Sequence, residues 1–280
     1  MRRRIGFITS SALPDLSSDD RCVLDALAVR GLDVVPWVWT TAAPPDLDAA
    51  VLRSCWDYHR APDAFRAFLA GVSVPLFNTA TIARWNMDKS YLRELASYGA
   101  ILPKTAWVEA GDRRALATVL ADAGLDDAVV KPRISLSAED TFRVARRDAD
   151  ERETAYRAIV ATRAVLVQAF VPAIATGEIS LVYLGGRFSH AVRKTPADGD
   201  FRVQSDYGGA RAREEAKPAW LAAADAVLAR LPPMLYARVD LVEDGDALSW
   251  MELEAIDPEL FFALVPEASA RFADALRHAV

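Results

Sequence analysis

Several features that would define a function class are scarce or missing in this chain of 280 residues. It has only two cysteines, Cys22 and Cys55, which excludes a disulfide framework and a cysteine-rich metal site. Its three histidines are scattered along the sequence, which argues against a zinc site. The loop after the first predicted strand lacks GxGxxG, so the dinucleotide-binding fingerprint is absent and an NAD-dependent oxidoreductase is disfavoured.

Long apolar runs and basic patches are missing as well. No apolar run approaches the roughly 20 residues needed to cross a bilayer, and the N-terminus shows no signal-peptide pattern. The net charge is -6, and the run Arg2-Arg3-Arg4 is too short for a nucleic-acid-binding patch. We therefore expect a cytoplasmic protein whose partner is neither a nucleic acid nor a membrane. Its 52% hydrophobic content suffices for one large domain or several lobes.

The pattern of apolar residues predicts two kinds of sheet. Residues 4–9, 19–30 and 32–39 have the pattern of a strand, a helix and a strand, which indicates a parallel sheet with a right-handed crossover. From residue 177 onward the pattern changes to two β-hairpins, at 178–194 and 235–255. We predict a mixed α/β and α+β fold, with a small parallel lobe followed by two α+β lobes.

The most informative group of acids lies in the second predicted hairpin. Asp240 falls in its first strand, and Glu252 and Glu254 fall in its second. Side chains on a strand alternate between faces, so the two glutamates share one face. Neighbouring carboxylates repel each other unless a cation lies between them, and oxygen-only ligands favour Mg²⁺ or Mn²⁺. The alternative is a solvated strand face, because acids are mostly exposed.

The register of this hairpin decides whether Asp240 joins the glutamates. A two-residue turn places Asp240 on the opposite face. A three-residue loop pairs Glu252 with Arg238 and Glu254 with Tyr236, and Asp240 then shares their face. We predict this loop within residues 243–246 or an equivalent bulge.

Four cations, Lys89, Lys131, Lys194 and Arg202, form a second group of interest. Such cations can hold polyphosphate and offset the charge that develops on a transferring phosphoryl group. Each of them alone is more often a surface ion-pair partner. Their order along the chain favours the phosphate interpretation.

Residues 167–258 resemble bacterial glutathione synthetase, and with it the ATP-grasp superfamily. The motifs that carry this resemblance are Val167-Gln168-Ala169-Phe170-Val171-Pro172, Gly177-Glu178, Lys194-Thr195-Pro196, Gly199-Asp200-Phe201-Arg202, Tyr207-Gly208-Gly209 and the hairpin acids. Nearly the whole chain is similar to the group that contains the O-ureido-serine cyclo-ligase of cycloserine biosynthesis. That similarity rests on three stretches, Leu52-Arg53-Ser54-Cys55-Trp56-Asp57-Tyr58, Arg84-Trp85-Asn86-Met87-Asp88-Lys89 and Phe188-Ser189-His190-Ala191-Val192-Arg193-Lys194.

The resemblance implies an ATP-grasp fold of three lobes. These are a parallel α/β lobe in residues 1–85, a central α+β lobe in residues 86–166 that acts as a mobile lid, and an antiparallel-sheet lobe in residues 167–280 with the metal site. It also implies ATP and Mg²⁺ (or Mn²⁺) as cofactors, a homodimer as the assembly to test, and a small amino-acid-like molecule as substrate.

The resemblance also implies roles for individual residues. The expected nucleotide-binding residues are Lys89, Lys131, Ser135, Ser137, Gln168, Ala169, Phe170, Val171 and Glu178. Lys194 and Arg202 would be catalytic, with Arg202 at the oxyanion. Asp240, Glu252 and Glu254 would hold the metal, although the family keeps asparagine at the third position. The loop after Lys131 has no glycine where many members have several, which leaves open how tightly it closes over ATP.

Five further residues are expected at the substrate: Arg53, Trp56, Asp57, Tyr58 and His190. Arg53 could hold a carboxylate with two hydrogen bonds, and Asp57 an ammonium group. The alternatives are that the two aromatic residues belong to the core and that His190 is a packing residue.

The function implied by these motifs is an ATP- and Mg²⁺-dependent ligase that forms an acyl-phosphate and joins it to a nitrogen, with ring closure as one outcome. Two alternatives stay open at this point. One is an amino-acid or dipeptide ligase that makes a linear amide, and the other is a nucleotide-binding module without catalysis.

Overall fold

A computed structural model describes residues 2–44, 46–245 and 247–280, without the side chain of Ser205. The strands are β1 (Arg3–Thr9), β2 (Leu32–Val38), β3 (Ala49–Ser54), β4 (Leu76–Phe77), β5 (Thr105–Val108), β6 (Asp127–Pro132), β7 (Phe142–Ala145), β8 (Val165–Ala169), β9 (Glu178–Leu184), β10 (Arg187–Thr195), β11 (Ala210–Glu214), β12 (Tyr236–Asp244) and β13 (Ala247–Glu254). The helices are α1 (Ser18–Arg21), α2 (Leu24–Ala28), α3 (Pro62–Gly71), α4 (Ala80–Asn86), α5 (Tyr91–Ser97), α6 (Leu116–Asp122), α7 (Ala149–Val160), α8 (Pro218–Leu228) and α9 (Glu267–Ala279).

The first sheet is parallel and has the strand order β2-β1-β3-β4. Strand β1 from Ile5 onward and the whole of β3 are buried, as expected for a parallel sheet covered on both faces. One cover is α9, whose Phe272 meets Phe7 of β1 edge to face at 6.3 Å between ring centroids. The predicted helix at residues 19–30 is present as two short helices, α1 and α2.

The other two sheets are antiparallel where their strands pair. The central sheet has the order β5-β8-β6-β7, and α6 and α7 contribute to the core that covers it. The last sheet has the order β11-β10-β9-β12-β13 and packs against α5 and α8, with Trp220 and Trp250 buried between them. The predicted fold class is therefore confirmed.

The division into lobes at residues 85 and 166 stays a prediction, and two elements lie across it. Helix α5 packs through Leu92 and Leu95 on the last sheet. Strand β8 belongs to the central sheet although most of it follows residue 166. None of the described helices is long and apolar enough to span a bilayer.

Residues 86–98 do not form one continuous helix. Helix α4 ends at Asn86, α5 begins at Tyr91, and Lys89 lies in the break. The Asp88 carboxylate accepts the backbone N–H of Ser90 at 2.8 Å, and the Lys89 N–H donates to Arg133 O at 2.9 Å. These bonds replace helical ones and direct Lys89 towards the interior.

Candidate active site

A cavity of about 430 Å³ lies where the three sheets meet, and it collects most of the residues predicted to be functional. Fifteen of them line it: Trp56, Lys89, Lys131, Ser135, Ser137, Gln168, Ala169, Phe170, Val171, Glu178, Lys194, Arg202, Asp240, Glu252 and Glu254. A cavity of this size is ordinary for a small-molecule site.

The acidic hairpin brings its three carboxylates to this cavity. Asp240 lies directly opposite Glu252, and Arg238 lies opposite Glu254. The loop lies between the paired residues Asp244 and Ala247 and contains Gly245 and Asp246, of which Asp246 is outside the described residues. The odd residue comes from a bulge between the Asp240 and Leu241 pairs. The prediction that a three-residue loop or an equivalent bulge places Asp240 on the face of the two glutamates is thus confirmed, because the bulge supplies the extra residue.

The predicted pairing of Glu252 with Arg238 and of Glu254 with Tyr236 is wrong by two residues. The reason is that the sequence-based register assumed a longer loop and a regular ladder. A shift of two residues keeps every side chain on its face, so the shared acidic face survives the error.

Cations separate these carboxylates from one another. Arg238 donates to Asp240 at 2.9 Å and also pairs with Glu254. Lys89 pairs with Glu252 at 3.0 Å, and Lys194 lies 3.1 Å from Asp240. Among the described residues, no three His, Cys, Asp or Glu side chains are grouped so that they hold a metal ion as they stand. A metal ion at this hairpin would therefore require some of these ion pairs to open.

The ion pairs also set the protonation of the acids. Although burial opposes ionisation, Arg238 and Lys194 hold the pKa of Asp240 below its ordinary value. Lys89 and Lys131 likewise lower the pKa of Glu252 against the effect of burial. Burial raises the pKa of Glu254 to about 7, even though Arg238 attracts a negative charge there. Asp240 and Glu252 are thus ionised at neutral pH, as metal ligands must be.

Arg238 was missed by the sequence reasoning. It is buried, lines the cavity and joins Asp240 to Glu254. The signal was present, since Arg238 and Asp240 are two residues apart on a strand and must share a face.

The basic residues approach the cavity from different elements. Lys131 comes from β6, where burial lowers its pKa. Lys194 comes from β10 and lies 2.5 Å from Glu178, the expected ribose ligand. Arg202 is half-buried, donates to Asp200 at 2.7 Å and lies 3.6 Å above the Tyr207 ring. An anionic ligand would find cations on several sides.

An apolar section of the wall follows β8. Phe170 lies edge to face with Phe201 at 6.2 Å, and Arg143 stacks on its ring at 3.6 Å. The Gln168 side chain donates to Thr105 at 3.0 Å, which fixes the strand. With Met251 on the same wall, this section suits a flat aromatic base.

The loop after Lys131, which contains no glycine, adopts the backbone conformation that glycine usually provides. Ser137, Ala138 and Asp140 have positive φ values of 51°, 56° and 54°. A non-glycine residue in this region costs about 1–2 kcal/mol, so the loop must be held from outside. The Glu139 carboxylate lies 2.9 Å from both His59 Nε2 and Arg60 Nη2 of the first lobe. Lys89 also donates to Ser135 O at 2.9 Å.

Removing the Glu139 anchor is expected to weaken nucleotide binding. Glu139→Ala deletes the bonds to His59 and Arg60, and partly exposed ion pairs are worth about 0.2–1 kcal/mol each. The expected result is a three- to tenfold higher KM for ATP (roughly 1 kcal/mol) with little change in kcat. Steady-state kinetics at varied ATP measures it, with Glu151→Ala on exposed α7 as the control. An unchanged KM would show that the anchor does not order the loop.

Four of the five predicted substrate residues lie behind the cavity wall. Arg53 is 1% exposed and donates to Asp20 at 2.7 Å, Asp57 accepts from Trp39 at 2.6 Å, and Tyr58 packs in an apolar cluster. Their side chains are already used inside the protein, so the described structure offers them no direct contact with a ligand in the cavity. Only Trp56 of this group lines it.

His190, the fourth of these residues, lies buried on β10. Its Nε2 is 2.8 Å from Leu260 O and its Nδ1 is 2.9 Å from Ser189 Oγ. Burial lowers the pKa of His190 to about 4 from an ordinary 6.5. This is the packing role that sequence reasoning weighed as the alternative.

The low pKa of His190 predicts an acid-sensitive fold. Between pH 6.5 and about 4 the unfolded chain binds a proton that folded His190 does not, so the free energy of unfolding falls as pH is lowered through this window. The effect reaches about 3 kcal/mol at the acid end. Urea unfolding across this window should show a shallower fall for His190→Gln than for the natural chain. Parallel curves would contradict the assignment.

The sequence reasoning also missed a group of acids in the wall of the cavity. Asp19, Asp257 and Glu259 line the cavity together with Ser17 and Trp56. Burial raises the pKa of Asp19, and burial together with the charge of Glu254 raises the pKa of Asp257 well above its ordinary value. Asp19 lies in the short helix α1 and the other two acids lie in a loop, and none of them belongs to a spacing pattern that would mark a site.

The chain is similar to known proteins along most of its length. Residues 5–78 match the N-terminal domain of D-cycloserine synthetase DcsG, and residues 95–247 match the ATP-grasp domain of prokaryotic glutathione synthetase. The cycloserine biosynthesis protein DcsG of Streptomyces lavendulae is 30% identical over 292 residues, with 97% of each chain covered.

Solved structures agree with these matches. The crystal structure of D-cycloserine synthetase DcsG is similar with a TM-score of 0.88 and 26% identity, over 99% of both chains. The D-alanine–D-alanine ligase of Bacillus anthracis complexed with ATP gives a TM-score of 0.69 at 17% identity, over 99% of this chain and 96% of that one. The second likeness concerns the fold alone.

Proposed function

Since this chain belongs to the ATP-grasp ligases, which use ATP with a divalent metal ion, we propose that it activates a small substrate's carboxylate as an acyl-phosphate and joins it to a nitrogen. The observation that carries the proposal is the composition of one cavity wall. A half-buried lysine from β6 and a buried lysine from β10 line the same cavity as an apolar section around Phe170 and the three carboxylates of the hairpin.

The lysines are suited to the phosphates of ATP. Lys89 and Lys194 are buried, and their ammonium groups pair with carboxylates of the same cavity or with loop oxygens, while the half-buried Lys131 lines the cavity with them. Phosphate oxygens would replace these partners without leaving the ammonium groups unpaired. The apolar section at Phe170, with Gln168, Ala169 and Val171, would take the base, and Glu178 the ribose.

The hairpin acids are suited to a hard divalent cation, and we propose Mg²⁺. Asp240, Glu252 and Glu254 offer oxygen ligands only, which Mg²⁺ and Mn²⁺ prefer over zinc. When bound, such an ion offsets negative charge on the phosphates. The replacement of the family's asparagine by Glu254 keeps an oxygen donor at that position.

The proposed reaction has two steps. A substrate carboxylate oxygen attacks the γ-phosphorus of ATP, the bond to the β–γ bridging oxygen breaks, and ADP leaves. A nitrogen then attacks the acyl carbon, loses its proton and expels phosphate. Arg202 and Lys194 would stabilise negative charge in these steps, and Arg238 lies where it could share this task.

We propose a small amino acid that carries a second nitrogen as the substrate, such as O-ureido-serine. Its oxygen-bound nitrogen could attack the activated carboxyl group of the same molecule and close a five-membered ring. The support is the likeness to the cycloserine biosynthesis protein over almost the full length of both chains.

The proposal is tested by measuring ADP release with ATP, Mg²⁺ and a panel of small amino acids, among them O-ureido-serine. We expect amino-acid-dependent ADP release, and mass spectrometry of the product then separates ring closure from a linear amide. ATP binding without ADP release for any member of the panel would instead indicate a nucleotide-binding module.

A further inference from the structure

The segment of residues 256–263 follows the acidic hairpin and is fixed through its backbone. Trp56 Nε1 donates to Asp257 O at 2.9 Å, and Arg53 Nη2 donates to Pro258 O at 3.2 Å. Asp19 accepts the N–H of Leu260 at 3.0 Å. The first lobe therefore holds this segment in place at several points.

The side chain of Asp257 is the exception to this pairing. It is 4% exposed and lines the cavity, yet its Oδ2 atom is buried and has no hydrogen-bond partner among the described residues. Burying a polar oxygen without a partner is unfavourable, and such atoms are rare in native proteins. A fixed backbone that places an incompletely paired carboxylate in the wall of a cavity points to a ligand that supplies the partner.

The surroundings of Asp257 indicate the charge of that partner. The charged groups with the largest effect on it are the Glu254 carboxylate, the Arg53 guanidinium and the carboxylates of Asp20 and Asp57. Arg238 pairs with Glu254, and Arg53 donates its Nε–H to Asp20 at 2.7 Å. These two pairs largely cancel, so the acids of Asp57 and Asp257 are left without a cation of their own among these groups, which favours a cationic donor over an anionic one.

We propose that Asp257 binds the ammonium group of an amino-acid substrate. This rests on the proposed function, because the site lies in the same cavity as the phosphate-binding lysines. With the ammonium group held at Asp257, the carboxylate of the same molecule can turn towards Lys89, Lys131 and Lys194. In ring closure the nitrogen bound at Asp257 is then a recognition group and not the nucleophile.

A structural role is the competing explanation. Arg53 Nη1 is also buried and has no partner among the described residues, so a water molecule could bridge it to Asp257. In that case Asp257 would stabilise the fold and would not distinguish substrates.

The natural chain alone can test the proposal. O-ureido-serine is compared with 3-(ureidooxy)propanoate, the same molecule without its amino group. Their dissociation constants are measured by calorimetry in the presence of Mg²⁺ and a non-hydrolysable ATP analogue. We expect the amino compound to bind about 10- to 100-fold more tightly, as a charge-assisted hydrogen bond predicts. Equal affinities would overturn the ammonium site.

A variant then assigns the preference to Asp257. Asp257→Asn keeps the shape and removes the charge, so the preference for the amino compound should fall to about twofold or less while affinity for the nucleotide is unchanged. Asp112→Asn, which removes an ion-paired acid that does not line the cavity, should keep the full preference. A preference that survives in Asp257→Asn, with or without a lower melting temperature, would support the water-bridged structural role and refute ours.

Failure of the proposed function would look different. ADP release stimulated equally by both compounds leaves the ligase proposal standing and removes the ammonium site. Discrimination in binding without any ADP release retains the ammonium site and removes the ligase proposal.

Discussion

Replacing Glu252 by glutamine is expected to lower kcat on the order of 10²- to 10³-fold or more while the chain stays folded. Glutamine has the same shape but no charge, so it would lose both the ion pair with Lys89 at 3.0 Å and the affinity for a divalent cation. The affinity for Mg²⁺ should fall in parallel, as seen by titrating Mg²⁺ against the initial rate of ADP release.

Glu243→Gln is the matched control for this experiment. Glu243 lies on β12 of the same hairpin, but its carboxylate faces Lys217 at 2.7 Å and Trp220 at 2.9 Å. It does not line the cavity, so we expect nearly natural turnover. Near-natural turnover of Glu252→Gln as well would refute the metal assignment.

Replacing Asp20 by alanine is expected to have the largest effect on stability. Arg53 and Asp20 are 1% and 0% exposed, and removing one partner leaves an uncompensated buried charge. The Asp20 carboxylate also accepts from Ser17 at 2.7 Å and from Ser54 at 2.9 Å. The free energy of unfolding should fall by about 3–5 kcal/mol, measured by urea denaturation with tryptophan fluorescence.

An exposed ion pair provides the comparison. Arg30 pairs with Asp274 at 2.5 Å, but the Asp274 side chain is 69% exposed. Asp274→Ala should therefore change the free energy of unfolding by less than about 1 kcal/mol. If Asp20→Ala lowered the free energy of unfolding equally little, the buried network around Asp20 and Arg53 would not be the main contact that holds residues 257–260 against the first lobe.

Many of the predicted site residues that the structure places at the cavity lie in a strand or next to one. Lys131, Lys194 and Glu252 reach the cavity because strand periodicity fixes their faces. Bulges and loop lengths are harder to predict from a sequence. The predicted register of the acidic hairpin was therefore wrong by two residues, although its three acids were correctly placed on one face.

The substrate residues show where such reasoning stops. Arg53 lies near the end of the buried strand β3, as a ligand-binding residue would, but its partner Asp20 lies 33 positions earlier in the chain. Only tertiary structure brings the two together and buries them. For the same reason the role of Asp257 depends on Trp56 and Arg53, about 200 positions away.

The position of α9 has a consequence for the order in which the chain folds. Phe272 and Leu276 pack in the same core as Ile5, Phe7 and Val51, so the sheet made first is covered by residues made more than 200 positions later. Until those residues emerge from the ribosome, the apolar face of β1 and β3 is only partly covered, by Val23 and Leu27 among others. Contacts this distant in sequence form slowly, and exposed apolar strands promote aggregation in the meantime. The first lobe of the protein is thus the last whose core can be completed, which would make it the part most dependent on chaperones during synthesis.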